Sequence, residues 1–149
     1  MILPITLTIT GAATLLNLWL GMRVSQLRTA YRISIGDGGN EALIARMRAQ
    51  ANYVENTPFF LILLGLTELA IGPHLWLWIV ASLYILARIA HGLGMSRPRP
   101  DRLRLRMIGM ITTALILLGL ALHALVLAYS HLPTKAGPLN YAAGAADHV

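Results

Sequence analysis

Four apolar runs, each long enough to cross a lipid bilayer, constrain this chain more than any motif it carries. Met1 to Met22 holds no charged residue. Tyr53 to Ile71 is interrupted only by Glu55 and Glu68, Leu75 to Leu93 by Arg88 and His91, and Met107 to Tyr129 by His123. Each run is close to the ~20 residues that span a bilayer as a helix. A chain in lipid must satisfy its own backbone hydrogen bonds, which leaves helices or a closed barrel. Thr6, Thr8 and Thr10 alternate as a strand would, but a lone strand in lipid leaves its backbone unpaired, so helix is expected there too. Composition agrees: 56% of the 149 residues are hydrophobic and 12% charged, against about 25% charged in soluble domains. Mean hydropathy is +0.64. The expected fold is an all-α, integral membrane four-helix bundle.

The links set the topology. Gly72-Pro73-His74 is short enough to force an antiparallel hairpin between the second and third runs. The first link is longer and turns at Gly36-Asp37-Gly38-Gly39; Asn40 can then cap a helix with Glu41 in its first turn. The third link carries Pro98 and Pro100. Arg23, Arg28, Arg32, Arg46 and Arg48 lie in or beside the first link, and Arg97, Arg99, Arg102, Arg104 and Arg106 in the third. The second link has no Lys or Arg, and the C-terminal stretch only Lys135. An excess of basic residues marks cytoplasmic loops, so both termini are expected outside. The first apolar run has no basic residue before it and no small-residue cleavage pattern, which predicts a retained span rather than a signal peptide. Residues 1–131 read as one transmembrane domain and 132–149, rich in Pro, Gly and Ala, as a mobile tail.

Several chemistries drop out. The net charge of +6 is concentrated at the links, with no aromatic-interleaved patch or module for nucleic acid. Without cysteine there is no disulfide, thiolate metal site or cysteine nucleophile, so any thiol must come with a substrate. The five histidines lack metal-ligand spacing. Gly36 to Gly39 is neither a phosphate loop nor a dinucleotide turn, and no serine sits in a nucleophile elbow.

What remains is polar chemistry at the basic end. Arg48, Asn52 and Glu55 stand at i, i+4 and i+7, one stripe of a helix. A guanidinium, an amide and a carboxylate in a row can hold a small zwitterion; equally, they can form a solvated helix end with Arg48 paired to Glu55. Pro58 follows and can kink the span. Arg88 and His91 lie one turn apart, and Glu55, at similar depth, is the expected partner of Arg88, either as a structural ion pair or as part of a ligand site. The cluster from Arg97 to Arg106 can anchor anionic lipid. Within it Arg102, Arg104 and Arg106 alternate, so at least one should turn toward the bundle, where a guanidinium beside a thiol favours the thiolate. Glu68 is expected to snorkel or pair at the outer end, and Asn17 and His123 to hydrogen-bond between helices.

The stretch Arg48-Ala-Gln50-Ala-Asn52-Tyr-Val-Glu55 followed by Pro58, the Arg88-Ile89-Ala90-His91 segment and the Gly36 to Gly39 link together resemble the MAPEG family, membrane-associated proteins in eicosanoid and glutathione metabolism, and in particular its bacterial members. The resemblance covers roughly Arg23 to Tyr129. It implies a homotrimer of four-helix subunits in a bacterial inner membrane, with glutathione as co-substrate bound between neighbouring subunits. It implies that Arg48, Gln50, Asn52 and Glu55 hold the peptide, that Arg28 reaches its carboxylate, and that Arg88 and His91 line the site. It makes Arg104 the arginine that stabilises the thiolate, with Arg102 the competing choice because the proline-rich link blurs the register. Three positions depart from the prostaglandin E synthase branch: Met95 stands for a tyrosine, Ala51 for an arginine and Leu105 for a serine. The activity implied is therefore a glutathione transferase or glutathione-dependent peroxidase acting on lipophilic electrophiles. A membrane binding or scaffold protein that keeps the fold without the chemistry is the alternative. A small transporter fits less well, because few polar residues continue toward the outer face.

Overall fold

The computed structural model describes residues 2–95 and 100–130. It contains four helices in chain order: α1 (Pro4–Tyr31), α2 (Glu41–Ile71), α3 (Leu75–Gly94) and α4 (Pro100–Ser130). All four are long and apolar enough to cross a membrane. The tail expected over 132–149 lies outside the described residues. At about 1.5 Å per residue the 20-residue α3 matches the bilayer core, and the longer α1, α2 and α4 overreach it.

Local chemistry explains the boundaries. Pro4 opens α1, where its missing N–H costs nothing. The early threonines are helical, not extended, and Thr8 and Thr10 donate their hydroxyls to the carbonyls of Pro4 and Thr6 at 2.8 and 2.7 Å. That inward bonding hides their polarity from lipid. Arg32 closes α1 in a left-handed conformation, φ 52°. Asn40 caps α2 as expected, its Oδ1 accepting from the Leu43 N–H at 3.0 Å. The helix runs unbroken through Pro58 to the Gly72 link.

The interior is narrow. Ile5, Ile9, Phe60, Leu64, Leu77, Ala81, Tyr84, Ile116 and Leu120 form one cluster, and Ala13, Leu16, Leu20 and Tyr53 a second. Phe60 stacks flat on Tyr84, whose hydroxyl lies 3.1 Å from Thr57 Oγ1. The Tyr53 hydroxyl donates to the Ala13 carbonyl at 2.7 Å and ties α2 to α1. The most extensive helix packing is between α3 and α4. A Cβ on Gly109 would stand 2.5 Å from the Ala87 carbonyl oxygen, and one on Gly94 2.8 Å from that of Arg102. These two glycines let the backbones approach directly. Outward faces remain apolar: Leu115, Leu118, Leu122, Leu125 and Val126 are all exposed on α4. So much unpartnered apolar surface suits a lipid environment and not water. The protein is an integral membrane protein.

Of three expectations about single polar residues, one is met in its second alternative and two are corrected. Glu68 pairs and does not snorkel. It is 1% exposed, and its carboxylate accepts from the Ile5 N–H at 2.9 Å, the Thr6 N–H at 2.7 Å and the Thr6 hydroxyl at 2.6 Å. The first turn of α1 has no carbonyls to donate to, and in lipid no water would meet its N–H groups. A carboxylate from α2 meets them instead, at the positive end of the helix dipole. Asn17 and His123 do not form the expected interhelical hydrogen bonds. Among the described residues Asn17 Oδ1 and His123 Nε2 are buried without a partner, and His123 instead sets its ring edge-on to Trp76 at 5.2 Å.

Candidate functional site

Rotation about α2 sorts the polar residues of its first half. Tyr53 faces inward and is buried. At about 100° per residue, Arg48 and Glu55 lie on the opposite side of the helix and Asn52 between. Arg48 and Glu55 are accordingly exposed and Asn52 half-buried. Gln50 turns the other way, and its Nε2 would meet a Cβ at Gly21 of α1 at 3.1 Å. The motif therefore splits into an outward stripe and one residue packed between helices.

Arg88 and His91 lie beneath that stripe. Arg88 is 2% exposed and His91 5%. The expected pairing of Arg88 with Glu55 is not formed. Arg88 Nη1 donates to Asn52 Oδ1 at 3.0 Å, and its guanidinium sits 5.4 Å from the centre of the Tyr53 ring. Arg88 meets α2 one turn from Glu55, but Glu55 lies about 200° around the helix from Tyr53, turned away from α3. Arg88 Nε has no partner among the described residues. His91 Nδ1 is 3.4 Å from the Arg106 carbonyl, an arrangement that suits a proton on Nδ1.

The remaining candidates separate in space. Arg104 is exposed and Arg102 half-buried. Arg102 turns into a cleft of about 490 Å³ lined also by Trp19, Met22, Arg23, Gln26, Arg46 and Leu93. Arg28 supports the first link, with Nη1 3.4 Å from the Ser34 carbonyl and Nη2 3.5 Å from Met47 Sδ. Met95 Sδ, at the position where the resemblance expects a tyrosine, lies 3.9 Å from Arg106 Nη1. The structure thus joins Asn52 to Arg88 and stacks Arg88 over Tyr53. It leaves Arg48, Glu55 and Arg104 on the surface of the single subunit.

Residues 6–126 match the model of the MAPEG family. The chain belongs to the MAPEG family. Among curated proteins none matches the sequence. For this MAPEG protein the matched span takes in α2 and α3 whole, nearly all of α1 and α4, and both arginine-rich links.

Sequence reasoning missed the cleft. Its signal was present: Trp19, Arg23 and Gln26 repeat on α1 the i, i+4, i+7 spacing of Arg48, Asn52 and Glu55 on α2. An apolar first residue masked it as part of a span. In the sequence Arg46 is one positive charge among the several of the first link.

Proposed function

We propose that this protein is a glutathione-dependent transferase or peroxidase that acts on lipophilic electrophiles reaching it from the bilayer. The observation that carries the reading is the outward stripe of Arg48, Asn52 and Glu55, with Arg88 buried behind Asn52, in a chain of this family. Arg48 can pair with a carboxylate of glutathione and Glu55 with its ammonium group. Asn52 is held by Arg88, which fixes its amide for a peptide ligand.

Polar groups turned outward at membrane depth need a polar neighbour. A second and third copy of the chain supply one, so the working unit is a homotrimer with glutathione between subunits. Arg104 is exposed where a bound thiol can reach it, and it is the arginine assigned to the thiolate; Arg102, turned into the cleft, is the competitor. Arg28, Gln50 and His91 complete or support the site. A guanidinium favours the thiolate over the thiol. In transfer the sulfur forms a bond to an electrophilic carbon, whose leaving group departs with the bonding pair. In peroxide reduction two glutathione molecules are oxidised to the disulfide as the hydroperoxide becomes alcohol and water. Binding both reactants in one cleft adds proximity.

By the distribution of basic residues, the links between α1 and α2 and between α3 and α4 face the cytoplasm of a bacterial inner membrane, with both termini outside. A scaffold role is the second reading, and Met95 favours it: a thioether offers no hydroxyl to the site and lies against Arg106. The test is turnover of 1-chloro-2,4-dinitrobenzene and of cumene hydroperoxide by the detergent-solubilised protein with glutathione, alongside native mass spectrometry. The reading expects a trimer with saturable, glutathione-dependent turnover of at least one substrate. A monomer inert toward both supports the scaffold.

A further inference from the structure

The cleft at the basic end of the bundle lies within one subunit and is built from all four helices. Trp19, Met22, Arg23 and Gln26 come from α1, Arg46 from α2, Leu93 from α3 and Arg102 from α4. Among the described residues α1 and α4 do not pack against each other, whereas every other helix pair does, and the cleft takes residues from both. Arg46 donates one terminal nitrogen to the Arg23 carbonyl at 2.6 Å, and its Nε has no acceptor. Arg102 makes no hydrogen bond or ion pair among the described residues. Arg23 is fixed by its Nη1 bond to the Gly92 carbonyl at 2.9 Å and by the Trp19 ring beneath its guanidinium, 4.6 Å away. Among the described side chains none that lines the cleft is acidic.

Several guanidiniums around one volume repel each other until an anion enters. The fork of an arginine suits the oxygens of a phosphate. The apolar wall of Trp19, Met22 and Leu93 suits a group attached to that anion. We propose that this cleft is a phosphate-binding site, separate from the outward glutathione stripe, for the phosphate of an anionic lipid or of a soluble phosphate compound. Arg48, Asn52, Glu55 and Arg104 do not line it; of the residues in the glutathione reading it shares Arg102 alone, the competitor for the thiolate.

The experiment is calorimetry on the full-length protein in a non-ionic detergent. Dihexanoyl phosphatidylglycerol, dihexanoyl phosphatidylcholine and inorganic phosphate are titrated separately, and then again with glutathione present. Saturable binding of phosphatidylglycerol without binding of inorganic phosphate assigns the site to lipid. Competition between the two assigns it to the phosphate group from either source. In both cases Arg46→Gln weakens binding. Gln26 is exposed, so Gln26→Glu keeps the fold and places a carboxylate in the cleft; it should weaken the anion by about tenfold or more, while Gln26→Lys does not weaken it. The proposal is overturned if neither anion binds, if phosphatidylcholine binds as well as phosphatidylglycerol, or if Gln26→Glu has no effect. Displacement of the probe by glutathione also overturns it, because the cleft would then be the glutathione site with Arg102 at the thiol.

Discussion

The two ends of the bundle treat charge in opposite ways. At the Gly72 end the one carboxylate among the described residues, Glu68, is fully enclosed, and both of its oxygens are used by the first turn of α1. At the arginine-rich end Arg48, Glu55 and Arg104 are exposed on the subunit surface. Both ends carry ionisable groups that a membrane protein retains only with cause. The difference is whether the subunit itself satisfies them. A charge satisfied within the fold belongs to stability; a charge left over belongs to something that arrives later. The contrast predicts a double dissociation: changes at Glu68 alter stability and spare glutathione, and changes at the stripe do the reverse.

The largest expected effect is at the thiolate. Arg104→Ala should lower turnover by about 10²–10³-fold, the scale on which one preorganised charge-stabilising donor acts, with an unchanged melting temperature. If turnover survives in Arg104→Ala and is lost in Arg102→Ala, the role moves to Arg102 and the cleft becomes catalytic. Next comes Glu68→Ala, which strands two backbone N–H groups and a hydroxyl in an apolar setting. It should cost about 3 kcal/mol of stability, read as a lowered melting temperature in detergent, while the affinity of the folded fraction for glutathione stays the same. A fall in affinity equal to that of the stripe variants would erase the contrast.

How much of this was legible in the chain depended on range. The four spans follow from local apolar length, and the Asn40 cap from a single residue and its neighbours. That Arg48, Asn52 and Glu55 share one side of α2 followed from helical spacing alone; that the side faces outward did not. Contacts set by tertiary packing did not. Glu68 meets Ile5 and Thr6 across 63 and 62 residues, and nothing near Glu68 announces that α1 starts beside it. Rotation about α2, more than depth, decides the partner of Arg88: Asn52 faces α3 and Glu55 does not. The cleft needed all four helices in place before its lining existed.

Smaller effects sharpen the same contrast. Gly109→Ala drives a methyl into the Ala87 carbonyl and the His91 backbone. It should cost about 1–3 kcal/mol by overpacking, visible as a lower melting temperature, with some loss of turnover because His91 must shift. Arg48→Ala and Glu55→Gln should each leave the melting temperature unchanged and weaken glutathione binding by about tenfold in calorimetry, the loss of one charge-assisted contact. A drop in melting temperature without a change in affinity at either position would place the stripe with Glu68, as structure and not site.

The central claim is that the leftover charges at the arginine-rich end bind and activate a thiol. Titration of the detergent-solubilised protein with glutathione at neutral pH, followed by the ultraviolet absorbance of the thiolate, tests it directly. The account predicts a saturable thiolate signal that persists in Glu68→Ala and disappears in Arg104→Ala. No thiolate signal, together with no heat of glutathione binding, would contradict it.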